Sequence, residues 1–127
     1  MFSAVTHNIQ VEVEPSYVSE ESDPRQSHYF FSYRVRISNK SEKQVQLLSR
    51  YWLITDGFGA VEEVEGSGVI GLQPTIKPGE TFEYSSFCPL STPSGFMQGK
   101  YTMLDAQGRR LEVEIPRFIL TEPTNYH

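Results

Sequence analysis

The sequence predicts an all-β fold, an antiparallel two-sheet sandwich, on three observations. Apolar side chains alternate in period two along several short segments, Gly and Pro turn signals separate those segments, and apolar residues nowhere recur at helical spacing over three turns. Turn signals at roughly 8–12-residue intervals around about eight short strands are the pattern of a sandwich or barrel. The 127 residues suit a single domain spanning 1–127, with no internal repeat or low-complexity stretch.

The first strand is expected to place Val5, His7, Ile9, Val11 and Val13 on one face and Thr6, Asn8, Gln10, Glu12 and Glu14 on the other. Pro15, lacking an amide hydrogen, is expected to end its pairing. Ser19 to Ser27 reads as an exposed polar loop. A second strand turns Tyr29, Phe31, Tyr33, Val35 and Ile37 inward. After Asn39-Lys40-Ser41-Glu42 comes a third, Gln44 to Thr55, whose nearly continuous apolar run suggests a central strand. Asp56-Gly57-Phe58-Gly59 closes a hairpin, with Asp-Gly expected to supply the positive φ. Ala60 to Glu65 carries glutamates on both faces, as edge strands do. Lys77-Pro78-Gly79-Glu80 has the composition of a type II turn. It leads into a strand Thr81 to Phe87, and Phe96 to Leu104 with Arg109 to Ile115 form a last hairpin.

Composition excludes several functions. Lys and Arg number 11 against 16 Asp and Glu, a formal charge of -5, so binding to nucleic-acid backbones is not expected. Cys88 is alone and has no intramolecular disulfide partner, which suits a reducing compartment. Met1 to Gln10 has no secretory pattern, and no stretch approaches ~18 consecutive apolar residues, so a cytoplasmic location without a membrane partner is expected.

Gly66-Ser67-Gly68-Val69-Ile70-Gly71 matches G-x-G-x-x-G. In a dinucleotide-binding fold the final glycine opens a helix whose N-terminal amides hold pyrophosphate. Pro74 and Pro78-Gly79 forbid that helix here, and the upstream glutamates repel phosphate. Two readings stay open: an anion-binding concavity of backbone amides, or glycines required by a bulge or strand crossing. Under the first, Gly66, Ser67, Gly68, Gly71 and Gln73 are the ligand-binding candidates. Arg50 and Trp52 share a face of the third strand and are surface or rim candidates, with a core anchor the preferred role for Trp52.

No catalytic residue is expected. No serine sits in G-x-S-x-G, His7 reads as a core or rim imidazole, His28 opens a strand, and His127 is the last residue. Cys88, between Phe87 and Pro89, reads as a packed small hydrophobe. No zinc-type spacing exists, and Glu62, Glu63 and Glu65 read as a solvated edge before a cation site, so neither a metal site nor a cofactor is expected.

Five blocks in order resemble the ApaG (CorD) family over essentially the whole chain. They are Leu47 to Asp56, Gly66 to Pro74, Lys77 to Tyr84, Cys88 to Tyr101, and Ile115-Pro116-Arg117-Phe118. The family typically has His where this chain has Tyr51, Gly near Phe87 and Ser near Phe96. The resemblance implies a fibronectin-type-III-like sandwich and a glycine loop proposed to bind pyrophosphate-like groups. It also implies an association with cobalt and magnesium resistance and a gene often beside a diadenosine tetraphosphate hydrolase. Related eukaryotic domains, in F-box proteins and a polymerase-delta-interacting protein, look like protein-interaction modules. The function expected is therefore non-enzymatic binding of another protein or a phosphorylated small molecule, linked to cobalt and magnesium homeostasis. The alternative is an enzyme handling phosphate or pyrophosphate, or a divalent-metal-binding protein, using Gly66 to Gly71. Nothing in the sequence specifies an oligomeric state.

Overall fold

In the computed structural model, which describes residues 1–123, strands follow one another as β1 (Phe2–Thr6), β2 (Ile9–Tyr17), β3 (Tyr29–Asn39), β4 (Val45–Asp56), β5 (Val61–Ser67), β6 (Thr75–Ile76), β7 (Thr81–Leu90), β8 (Ser94–Asp105) and β9 (Arg110–Thr121). One antiparallel sheet has the order β1-β2-β3-β7; the other has β5-β4-β8-β9, with β6 continuing the β5 edge along the start of β4. Among the described residues the helical backbone is confined to two single 3-10 turns, Ser19–Glu21 and Pro24–Gln26, inside the expected polar loop. The two sheets face each other as a fibronectin-type-III-like sandwich, as expected.

The core lies between them. β2 and β3 deliver Ile9, Val11, Val13, Phe31, Tyr33, Val35 and Ile37, all buried. The other sheet answers with Leu47, Trp52, Tyr101, Met103, Val113, Ile115 and Phe118. Trp52 is 3% exposed and meets Tyr33 and Phe118 edge-on, at centroid distances of 5.4 and 5.9 Å. It is therefore an anchor of the core and not a rim residue; a large aromatic ring there removes much apolar area from water.

Four expectations need correction. The first strand is a hairpin. His7 and Asn8 both take positive φ (51° and 61°), and Thr6 pairs with Ile9, so β1 turns back on β2 and leaves His7 and Val5 exposed. Pro15 does not end β2, which pairs with β3 through Tyr17; β1 stops at the partner of Val13, so β2 has no ladder on that side for a proline to break. In the Asp56 hairpin the left-handed residue is Gly59 (φ 85°), not Gly57. Asp56 Oδ1 accepts the amides of Phe58 and Ala60, and Asp105-Ala106-Gln107-Gly108 repeats the device, with Gly108 at φ 80° and Asp105 Oδ1 accepting from Gln107 and Arg109. Last, β9 runs past Ile115 to Thr121, because the register shift opposite Gln98, between Met97 and Gly99, absorbs Pro116.

β4 explains its own apolar run. Its register against β8 shifts between Leu47 and Ser49, so Leu48 is a bulge. Val45 and Leu47 face inward before it, and Arg50, Trp52 and Ile54 face inward after it. Tyr51 and Leu53 are half-buried on the outer face, where Lys100 lies over the Tyr51 ring.

Candidate functional site

The bulge organises the glycine loop. The Leu48 carbonyl, turned out of regular pairing, accepts the Gly68 amide at 2.7 Å and the Gln73 side-chain amide at 2.9 Å. Leu47 N donates to Pro74 O, and Gln46 Nε2 to Gln73 O. The loop therefore leaves β5, ties to β4 at Gly68, makes an excursion from Val69 to Leu72, and returns along β4.

The excursion is a two-residue reverse turn. Val69 and Leu72 exchange both backbone hydrogen bonds at 2.8 Å, and Ile70 and Gly71 have φ of 44° and 78°. Val69 drops into the core at 1% exposure, while Ile70 (56%) and Leu72 (51%) stand in solvent at the tip. No helix follows, as expected from Pro74. Gly68 has φ 59°, and a Cβ there would sit far inside contact distance of the Leu72 carbonyl oxygen, so this position admits only glycine.

Arg50 lies across β5. It pairs with Gly66, and its Nη1 donates to Ser67 O and Gly68 O, both at 3.0 Å. Gly66 makes room for it: a Cβ there would fall 2.7–2.8 Å from the guanidinium atoms. The expected solvent-facing head is thus engaged with loop carbonyls. Inward of it stands a buried tyrosine group. Burial drives the Tyr101 and Tyr84 hydroxyls, hydrogen-bonded to each other, well above the ordinary phenol value; burial also raises Tyr33, which stands opposite Ser86 of β7. The Arg50 charge acts on all three in the opposite direction.

The structure thus brings Arg50, Gly66, Ser67, Gly68 and Gln73 together around Leu48, leaves Gly71 at the outer tip, and places Trp52 apart in the core. The amides of Gly68, Val69 and Leu72 already donate to carbonyls within the protein. Sequence reading passed over Leu48, Val69, Ile70 and Leu72; the available signal was the presence of large apolar residues between glycines in a segment otherwise exposed.

Other reactive groups are dispersed. Burial, reinforced by the Glu62 charge, pushes the Cys88 thiol up to about 12, which keeps it protonated at neutral pH. His7 sits in its turn, His28 lies near the Phe30 ring, and His127 lies outside the described residues. Glu62 pairs with Ile54 on the inner side of β5, whereas Glu63 and Glu65 project outward. Among the described residues no three His, Cys, Asp or Glu side chains converge as a metal cluster would. No helix of the described residues is long and apolar enough to cross a membrane.

A family model described as the ApaG domain matches residues 19–105. Protein ApaG of Mesorhizobium japonicum is 52% identical over 123 residues, covering 97% of this chain and 95% of its own length. Protein ApaG of Methylorubrum extorquens strain PA1 is 54% identical with the same coverage. The crystal structure of an ApaA protein from Bordetella pertussis superposes with a TM-score of 0.89 at 50% identity, over 92% of this chain and 95% of that one. The C-terminal domain of wzt, at 9% identity and a TM-score of 0.54, shares the fold alone. Agreement in sequence and in backbone from one end to the other makes this chain a member of the ApaG domain family.

Proposed function

We propose that this chain is a non-catalytic binding domain whose Gly66–Gln73 loop docks on a partner protein through Ile70 and Leu72. The observation that carries this reading is Ile70. A β-branched side chain at positive φ is a conformational outlier costing on the order of 1–3 kcal/mol, and such strain concentrates at functional positions. Ile70 holds that conformation while leaving 56% of its surface in water, beside a Leu72 that leaves 51%. Burying both against a partner returns apolar area that the isolated domain leaves exposed.

The rival reading, a phosphorylated small molecule in the glycine loop, has less support. It needs donors, and the Gly68, Val69 and Leu72 amides and the Arg50 head are engaged with carbonyls. Within the favoured reading, the family's link to cobalt and magnesium homeostasis runs through the partner.

Affinity capture with the natural chain and an Ile70→Ser/Leu72→Ser variant, side by side, tests the proposal. A protein retained by the first and lost from the second is the expected result; equal retention sinks it. Thermal melts with pyrophosphate, diadenosine polyphosphates, Mg²⁺ and Co²⁺ test the rival, since a ligand at ~100 times its Kd stabilises by about 2.7 kcal/mol.

A further inference from the structure

We propose that a cleft at the end of the sandwich, separate from the glycine loop, binds a small phosphate ester with a ring-sized apolar body. Three turns enclose it: His7–Asn8 between β1 and β2, Lys40–Gln44 between β3 and β4, and Asp105–Arg109 between β8 and β9. Its volume is about 460 Å³, within the range of small-molecule sites.

Charge gathers there against the trend of the chain. His7, Lys40, Lys43 and Arg109 line the cleft, opposed by Glu42 and Asp105, in a protein whose net charge is -5. Asp105 is largely spent. Its Oδ1 accepts the Gln107 and Arg109 amides at 2.9 and 2.8 Å, and Oδ2 lies 3.4 Å from Arg109 Nε. Neither Lys40 nor Lys43 has a carboxylate within 4.0 Å among the described residues. Two unpaired ammonium groups, with the Arg109 Nη atoms left beyond its Nε contact to Asp105, outnumber the one unpaired carboxylate, Glu42, and suit a dianionic phosphate better than a single carboxylate.

The backbone carrying these lysines is held from beneath. Asn39, 1% exposed, donates from Nδ2 to Lys43 O (2.8 Å) and Ile76 O (2.9 Å), and its Oδ1 accepts from Ser41 N (3.0 Å) and Ser41 Oγ (2.6 Å). Lys40 N donates to Asn8 O across the mouth at 2.9 Å. With the crossover fixed in this way, less ordering entropy is lost on binding. Val45 and Leu111 give the cleft an apolar floor on which a ring can lie.

An ¹⁵N-resolved titration with phenyl phosphate, benzoate and inorganic phosphate tests this. We expect saturable shifts at Lys40–Lys43 and Gln107–Arg109, with phenyl phosphate bound more tightly than either other probe. Lys40→Ala/Lys43→Ala should weaken it about tenfold or more with an unchanged melting temperature. Leu72→Ser, in the glycine loop, should leave it unaffected. Shifts confined to Gly66–Gln73, equal affinity of the double-lysine variant, or phenyl phosphate bound no more tightly than benzoate would each overturn the proposal.

Discussion

Two reverse turns in this molecule have nearly the same backbone and opposite chemistry. His7–Asn8 and Ile70–Gly71 each place two consecutive residues at positive φ, 51° and 61° in one case, 44° and 78° in the other. His and Asn are among the non-glycine residues that tolerate the left-handed region; isoleucine is not. The first turn closes a five-pair ladder from Phe2↔Val13 to Thr6↔Ile9, whereas the second closes on the single bridge Val69↔Leu72. A relaxed turn thus sits where strand pairing alone would hold it. The strained one has no such ladder and is held by the burial of Val69, the tie of Gly68 to Leu48 and the side-chain bonds of Gln46, Arg50 and Gln73 at its base. Strain placed on the weaker support, and turned toward solvent, is more readily explained by binding than by folding.

The sharpest way to break this contrast is Gly68→Val. Positive φ and a blocked Cβ position together should cost about 3 kcal/mol or more, since the obstruction is backbone and not a side chain that can swing away. A melting temperature lowered by about 10 °C is expected, and an unchanged one would mean the loop is not tied down as described. Exchanging the chemistry of the two turns should give smaller effects of opposite sign. Ile70→Asn should stabilise by about 1 kcal/mol while weakening partner binding, and His7→Ile should destabilise by roughly 1–2 kcal/mol. Denaturant midpoints check both, and a loss of stability in Ile70→Asn would remove the strain argument. The smallest effect concerns acid. The Arg109 amide above all, joined by the Gln107 amide and the Arg109 guanidinium, holds the Asp105 carboxyl below the usual carboxylate range, outweighing desolvation, which opposes it. Its contribution is therefore complete above the unfolded value of about 3.9 and is lost as pH falls through the lower folded value. Melting curves at descending pH should show a shallower decline for Asp105→Asn than for the natural chain.

Features set by neighbours in the chain were legible in advance. The alternation of β3 needs only its own eleven residues, and Lys77-Pro78-Gly79-Glu80 does form the expected turn, with Gly79 at φ 83° and Glu80 N on Lys77 O. Pro74 ruled out the helix locally. Features set across strands were not legible. Val5 and His7 prolonged the odd-numbered alternation of Ile9, Val11 and Val13, yet the inward side of β1 is Phe2, Ala4 and Thr6, because a two-residue turn switches parity. Whether proline is tolerated at Pro15 depends on where β1 stops. The partners of Arg50 depend on Gly66 standing opposite it, which requires the β4–β5 register. The candidate site was legible as a set of glycines, but the inward course of its amides and the exposure of Ile70 were not.

Leu48 supplies a frame shift halfway along the longest run of apolar residues. Up to it the odd-numbered side chains of β4 belong to the interior; beyond it the even-numbered ones do. Excising that single residue would join the pairs on either side into one unbroken ladder, leaving Trp52 opposite Gly99 and Arg50 opposite Tyr101, and would remove the carbonyl on which Gly68 and Gln73 converge. The inserted amino acid thus serves the loop at the edge, not the ring at the centre.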